Sequence, residues 1–118
     1  MLDAAGEVWI VHYDITTEDT ATVLHLSERL VDSDRAAFET VLTRALSGKP
    51  REVVVDFAGL QYMDSAGLGL LLTLRERAQA QGTSVRLRNP EGAVRDMLQL
   101  SRFDTLFRIE AGAKAASR

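Results

Sequence analysis

The chain has 118 residues, 46% of them hydrophobic, no cysteine and a formal net charge of -3. This length predicts one domain over residues 1–118, with a core at about 7–110 and loose termini at 1–6 and 111–118. The lack of cysteine excludes a disulfide framework, a thiolate metal site and a thiol nucleophile. Because no basic run, membrane-length apolar run or signal-peptide pattern occurs, we expect a cytoplasmic protein with no nucleic-acid partner and no membrane insertion.

The first part of the chain predicts a hairpin and then a helix. Residues 8–13 are rich in β-branched and aromatic side chains and residues 21–27 alternate, so we predict two antiparallel strands joined by turn formers at 14–20. Residues 32–34 then offer N-cap side chains ahead of apolar residues at helical spacing, and this helix ends before Pro50.

The centre of the chain predicts a buried strand followed by a long helix. Residues 53–57 form an apolar run typical of a strand buried on both faces. Residues 66–81 repeat apolar side chains at helical spacing until Gly82, which is the expected stop. The helical side chains expected in the core are Leu68, Leu71, Leu72, Leu74 and Ala78.

A short polar connection joins this strand to this helix. Asp64 and Ser65 can accept the free backbone N–H groups of the helix start, and Gly67 and Gly69 permit close approach. As an N-cap alone, Ser65 stabilises its helix by about 1 kcal/mol. As an exposed serine beside small residues, in the positive partial field of a helix start, it can instead accommodate a phosphate and act as a charge switch.

The last part of the chain predicts a strand, a helix and a short apolar end. Residues 85–88 alternate with Val85 and Leu87 inward, residues 93–100 carry a third helical stripe, and residues 106–109 form either a short strand or an apolar coil. Two strand–helix–strand crossovers imply parallel strands with right-handed connections. We therefore predict an α/β fold, a small mixed β-sheet with helices packed mainly on one face.

Enzyme signatures are incomplete around Ser65. The turn at 67–69 lacks the third glycine of a dinucleotide fingerprint and the Gly-Lys ending of a phosphate loop. A serine hydrolase needs a base within reach of its nucleophile, but His12 and His25 fall in the predicted hairpin and show no metal-ligand spacing. We therefore predict no enzyme, no catalytic residue, no cofactor and no metal, and keep a small hydrolase that uses Ser65 as the enzyme alternative.

Residues 53–69, which end Tyr62-Met63-Asp64-Ser65-Ala66-Gly67-Leu68-Gly69, resemble the signature of the STAS domain found in bacterial anti-sigma factor antagonists. The resemblance covers about residues 20–109 and implies a small mixed sheet backed by helices. It also implies a protein partner, an anti-sigma factor that is a serine kinase. The unphosphorylated antagonist binds this partner and releases the sigma factor, and phosphorylation of the serine after the motif's Asp, here Ser65, inactivates the antagonist.

Three positions depart from the family's pattern. The family commonly carries Gly-Glu-Leu-Asp at the end of its early strand, and an ungapped match places Glu28 at the glycine and Val31 at the acid, with Asp32 following. In the family that acid lies near the phosphorylation site and helps to engage the kinase. Ala66 also replaces a hydroxyl that many members have, so one acceptor remains at this turn.

The resemblance implies a phosphorylation-controlled binding protein, a monomer or weak dimer, rather than an enzyme. The alternative is a STAS adaptor subunit of a lipid-transport complex or a chemotaxis-type signalling assembly, in which Ser65 only caps its helix. The predicted partner-binding residues are Asp32, Ser33, Asp64, Ser65, Ala66, Gly67 and Leu68.

Overall fold

The computed structural model describes residues 12–111, which form a five-stranded sheet and three α-helices. The strands are β1 (Tyr13–Glu18), β2 (Ala21–Leu30), β3 (Glu52–Met63), β4 (Ser84–Arg88) and β5 (Arg108–Glu110). The helices are α1 (Arg35–Leu46), α2 (Ser65–Ala80) and α3 (Gly92–Leu100), and single 3₁₀ turns occupy Asp32–Asp34 and Phe103–Thr105.

The sheet is mixed, and its strands lie in chain order from β1 to β5. β1 pairs with β2 in antiparallel fashion, whereas β2 with β3, β3 with β4 and β4 with β5 are parallel. The predicted hairpin, the crossovers and the α/β fold class are therefore confirmed. Of the two structures predicted for residues 106–109, the short strand is found, and it runs parallel to β4.

The hairpin turn is shorter than the sequence predicted. Residues 14–18, which we predicted as part of the turn, lie in β1, and the turn is confined to Asp19 and Thr20. β-branched residues in this stretch, such as Ile15 opposite Leu24, extend the ladder despite the polar residues between them. Tyr13 from the predicted first strand opens β1, and residues 8–11 of that strand lie outside the described residues.

The two faces of the sheet differ in chemistry. One row across the sheet consists of Ile15, Leu24, Val55, Leu87 and Ile109. This face packs with buried side chains of all three helices in one hydrophobic core, as predicted for helices on one face. The burial of these apolar side chains is the main stabilising contribution to the fold.

The opposite face carries charged side chains joined by ion pairs. The guanidinium of Arg88 on β4 lies 3.1 Å from Asp56 and 3.3 Å from Glu18 on β1. Val23 and Val54, which pair with each other on β2 and β3, are buried yet lie outside the main core cluster. The aliphatic part of an arginine can cover apolar surface of this kind while its charged head stays paired.

Asp56 is the centre of this network. It accepts hydrogen bonds from the Ala58 backbone N–H at 2.9 Å, the Asn89 side-chain amide at 3.1 Å and Arg88 at 3.1 Å. Burial raises the pKa of its carboxyl, but the hydrogen bonds from Ala58, Asn89 and Arg88 together outweigh burial, so its pKa lies below the ordinary value.

We expect Asp56 to stabilise the fold at neutral pH and to lose this effect in acid. Because its pKa is lowered in the folded state, its contribution is fully present above the ordinary carboxyl pKa of about 3.9 and is lost as the pH falls through the lowered value. The free energies of unfolding of wild type and Asp56→Asn, measured with urea between about pH 7 and 3, should therefore converge as the pH falls. If the difference in free energy of unfolding between wild type and Asp56→Asn grows as the pH falls, Asp56 does not stabilise the fold in this way.

Two β-bulges explain why β3 is longer than its apolar run. Register shifts occur between His25 and Ser27 and between Glu28 and Arg29, and at each shift β3 holds one extra residue. The inward side chains therefore change from a spacing of two to a spacing of three, at Phe57, Leu60 and Met63. The strand thus continues past residues 53–57 and delivers Asp64 to the start of α2.

Glu28 at the second bulge has a left-handed backbone, with φ of 66°. This region favours glycine because a Cβ atom is crowded there, and the related signature has glycine at this position. The Glu28 side chain lies 3.4 Å from His12, but both side chains are well exposed, so their contact adds little. The backbone of Glu28 is therefore strained, and the contact of its side chain with His12 offsets little of this strain.

We predict opposite effects for two substitutions of Glu28. Glu28→Gly relieves the left-handed strain and raises the free energy of unfolding by up to about 1 kcal/mol, after the greater flexibility of the unfolded chain is counted. Glu28→Val places a β-branched side chain at this φ and lowers the free energy of unfolding by about 1–2 kcal/mol. Urea denaturation compares the two. Equal stabilities for Gly and Val would show that the backbone relaxes at this bulge.

The buried face of α2 differs from the prediction at two leucines, because Leu70, which we did not predict there, takes the place of Leu72. Leu70, Leu71 and Leu74 are buried, whereas Leu72, which we predicted in the core, is 40% exposed. At 100° per residue, a helix face that buries positions 67, 70, 71, 74 and 78 turns position 72 towards solvent. Three consecutive leucines, Leu70 to Leu72, obscure this choice in the sequence.

Candidate functional site

The site begins where β3 passes into α2. Asp64 has an extended backbone and is the N-cap of the helix, and Ser65 is its first residue. One oxygen of Asp64, Oδ1, accepts hydrogen bonds from the Ala66 N–H at 2.9 Å and the Gly67 N–H at 3.1 Å. The interpretation of Ser65 as the N-cap is therefore wrong, because Asp64 alone fills that position.

The Ser65 side chain is exposed and forms no hydrogen bond within residues 12–111. It follows a strong cap and points away from the core, so the fold does not require its hydroxyl. When two adjacent polar residues precede an apolar helical run, the sequence alone does not show which of them is the N-cap of the helix.

The other oxygen of Asp64 contacts the connection between β2 and α1. Oδ2 accepts a hydrogen bond from the Asp32 backbone N–H at 3.3 Å, and the Asp64 N–H donates to the Leu30 carbonyl at 3.3 Å. The structure thus brings together Asp32 and Asp64, which are 32 residues apart. Asp32 and Ser33 are exposed beside the start of α2, where the predicted surface places them.

Gly67 permits the close contact between α2 and this connection. A Cβ atom at position 67 would lie 2.9 Å from the Leu30 carbonyl oxygen and 2.3 Å from Cγ of Met63. Gly67 is buried, so among the predicted partner-binding residues it supports the site rather than offering surface. Ala66 and Leu68 are half-buried and remain available at its edge.

Arg35 and Tyr62 belong to the neighbourhood of the site and were not predicted. Arg35 lies 3.0 Å from the Asp32 carboxylate, which is 75% exposed, and the spacing of three residues in a helical turn was the available signal. Tyr62 precedes the site on β3 with 53% of its surface exposed. The site therefore combines two acidic residues, one cation, small residues and an exposed aromatic ring.

The two histidines have partners away from Ser65. His25 lies on the charged face of the sheet, with Nε2 2.9 Å from the Thr16 hydroxyl and Nδ1 3.4 Å from Asp56. His12 lies 3.4 Å from Glu28. No described residue forms the hydrogen bond to the Ser65 hydroxyl that a general base would make.

Residues 12–111 contain no group of three His, Asp or Glu side chains that could hold a metal ion. Within the same residues, no helix has both the length and the apolar character needed to cross a membrane.

Residues 13–109 match the family model described as "Mlab, STAS domain". The chain belongs to the STAS domain family. A curated relative, a STAS-domain containing protein of Pseudomonas aeruginosa, is 42% identical over 60 residues, which are 51% of this chain and 59% of that protein. The chain thus spans less than two thirds of that relative's length.

Solved structures of anti-sigma factor antagonists share the fold. An anti-sigma factor antagonist from Mycobacterium paratuberculosis superposes with a TM-score of 0.73 at 21% identity, covering 90% of both chains. The antagonist SpoIIAA in its unphosphorylated form superposes with a TM-score of 0.68 at 24% identity, and the match covers 89% of this chain and 92% of SpoIIAA. The phosphorylated form of SpoIIAA, from Bacillus, superposes with a TM-score of 0.63 at 23% identity, and the match covers 89% of this chain and 96% of that one. The match to the family model confirms the predicted STAS family, and the structural likeness confirms the predicted sheet with its helices.

The two glycines of α2 provide a matched test of the close contact. Gly67→Ala forces a Cβ atom against Leu30 and Met63, so we expect the free energy of unfolding to fall by about 2 kcal/mol. Gly69 has open space around its Cβ position, so Gly69→Ala should raise stability by about 0.5–1 kcal/mol through helix propensity. Thermal or urea unfolding of both variants checks this contrast, and a gain in Gly67→Ala would contradict the packing described above.

Proposed function

We propose that this protein is an anti-sigma factor antagonist whose unphosphorylated form binds a serine-kinase anti-sigma factor and thereby releases the sigma factor. One observation carries the proposal: the Ser65 hydroxyl is exposed at the first position of α2, directly after the capping Asp64, and the described fold does not use it. Membership in the STAS family and the structural likeness to antagonists support it. The protein acts as a binding partner, not as an enzyme.

The proposed contact surface has its centre at Ser65. Ala66 and Leu68 offer a small and an apolar edge on the first turn of α2, and Asp32 and Ser33 flank them from the neighbouring 3₁₀ turn. Small residues beside the hydroxyl allow a kinase to approach closely. The hydrogen bond between Asp64 and Asp32 holds the two parts of this surface together before the partner arrives, which lowers the entropic cost of binding.

Phosphorylation turns this surface off. The Ser65 hydroxyl oxygen forms a bond to the γ-phosphorus of ATP, the bond from that phosphorus to the ADP oxygen breaks, and the hydroxyl proton passes to a base of the kinase. The product carries about 1.5 to 2 negative charges next to Asp64. Like charges and buried phosphate in an interface cost several kcal/mol, and about 4 kcal/mol corresponds to roughly a thousandfold in affinity. SpoIIAA, which shares this fold, has been solved in phosphorylated and unphosphorylated forms.

A second candidate function is a fixed adaptor subunit in a lipid-transport or chemotaxis-type assembly. The matching family model carries the description "Mlab, STAS domain", and Val31 stands where the antagonist signature has an acid. In this function Ser65 stays unmodified at the centre of a permanent interface. Affinity purification followed by mass spectrometry separates the two functions, because a transporter ATPase or chemotaxis component and a histidine-kinase-fold anti-sigma factor are easily distinguished.

Phosphorylation tests the proposed function directly. With the anti-sigma factor kinase and ATP, we expect the intact mass of the wild type to rise by one phosphoryl group and that of Ser65→Ala to stay constant. Ser101→Ala is the matched control, because Ser101 is an exposed serine at the end of α3, outside the proposed contact surface, and it should be modified like the wild type. An unmodified wild type, or a modified Ser65→Ala, contradicts the proposal.

Binding to the same kinase gives the functional readout. Ser65→Ala should bind as tightly as the unphosphorylated wild type and stay bound when ATP is added, whereas Ser65→Glu should bind more weakly. Calorimetry or a sensor-surface assay measures both affinities. The glutamate carries less charge than a phosphoserine, so its effect should be smaller than that of phosphorylation.

A further inference from the structure

We propose that a phosphate on Ser65 is sensed inside the protein by Asp64, which then releases the backbone of Asp32 and loosens the turn Asp32–Asp34. The inference rests on the proposed function in one respect, that Ser65 is the residue that carries the phosphate. It adds a second effect to the switch. Besides placing charge in the interface, the phosphate separates the two parts of the contact surface.

The first turn of α2 has few free donors for a phosphate. Phosphate groups at helix starts are normally held by free backbone N–H groups. Here the Ala66 and Gly67 N–H groups both donate to Oδ1 of Asp64. A phosphate on Ser65 must therefore compete with the Asp64 carboxylate for these donors or remain beside it as a neighbouring negative charge.

The bond to Asp32 is the contact of Asp64 that should yield first. Its length is 3.3 Å, whereas the two bonds within the helix start are 2.9 and 3.1 Å. Like charges repel by about 1 kcal/mol per pair of unit charges at 4 Å even in bulk water, and by more near a protein surface. A carboxylate that moves to reduce this repulsion can keep its helix bonds only by giving up the longer contact.

The charges around Asp32 favour the same outcome. Its own carboxylate adds a second negative group near Asp64, and Arg35 already pairs with that carboxylate at 3.0 Å. When the hydrogen bond between Asp64 and Asp32 breaks, the turn loses a direct bond to α2 and keeps the packing of Leu30 against Gly67. Asp32 and Ser33 then move independently of Ser65, and a partner that needs both parts in register binds less well.

The test installs phosphoserine at position 65 during translation by genetic code expansion, so no kinase is needed. Amide hydrogen exchange, followed by NMR, reports on the Asp32 N–H. We expect this exchange to become about tenfold faster with phosphoserine at position 65, which corresponds to about 1.4 kcal/mol. The amide of Leu71, buried in α2, should be unchanged and so distinguishes local release from global opening.

Asp64→Ser is the matched variant. A serine caps the helix nearly as well as aspartate, but its single oxygen carries no charge and cannot serve α2 and Asp32 together. In this variant the Asp32 amide should exchange fast without phosphate, and phosphoserine at position 65 should add less than about twofold. Phosphoserine at the exposed Ser101, at the end of α3, controls for added charge elsewhere and should leave the Asp32 amide unaffected.

Either of two results overturns the inference. One is an Asp32 exchange rate that phosphoserine at position 65 leaves unchanged, and the other is an equal increase in wild type and in Asp64→Ser. If the phosphoserine protein does not fold, Ser65→Glu provides the same comparison with a smaller increase expected. Failure of the kinase to modify Ser65 would contradict the proposed function and not this inference. The exchange experiment does not depend on the kinase, because the phosphoserine is introduced during translation.

Discussion

The Asp64 carboxylate is the interaction on which the site depends. It accepts hydrogen bonds from three backbone N–H groups, two in the first turn of α2 and one in the connection between β2 and α1. Capping by such a carboxylate stabilises a helix by about 1 kcal/mol and complements its dipole. The same side chain thus begins the helix, fixes the neighbouring turn and leaves Ser65 exposed without a structural role.

The two faces of the sheet explain why the proposed contact surface lies at the end of the sheet and not across it. One face is filled by the three helices, and the other is occupied by ion pairs centred on Arg86, Arg88 and Asp56. Partly buried charges that are already paired within the protein offer a binding partner little gain, because binding would have to replace these ion pairs. The end of β3 and the start of α2 remain as surface with small residues and free polar groups.

The sequence predicted the parts of the fold that follow a regular period. The α2 pattern, the alternation in β4 and the crossovers around β3 needed only the spacing of apolar residues. Prediction failed where tertiary structure alters that spacing. The mostly polar residues 14–18 form an edge strand because they pair with β2. Two bulges change the spacing of the inward residues at the end of β3 from every second to every third residue. The choice of Asp64 over Ser65 as the cap depended on backbone geometry, which residue types do not specify.

The altered acid near the site changes what a partner meets there. Val31 occupies the position of the signature's acid, is half-buried, and donates its N–H to Oδ2 of Asp34 at 2.8 Å, so this position is part of the local turn. The nearest exposed acid is Asp32, whose carboxylate is paired with Arg35. A partner that binds this turn would meet the Asp32–Arg35 ion pair instead of a lone carboxylate. Since charge arrangement sets specificity more than affinity, this difference favours a partner with its own complementary charge pattern over the partners of antagonists that keep the acid.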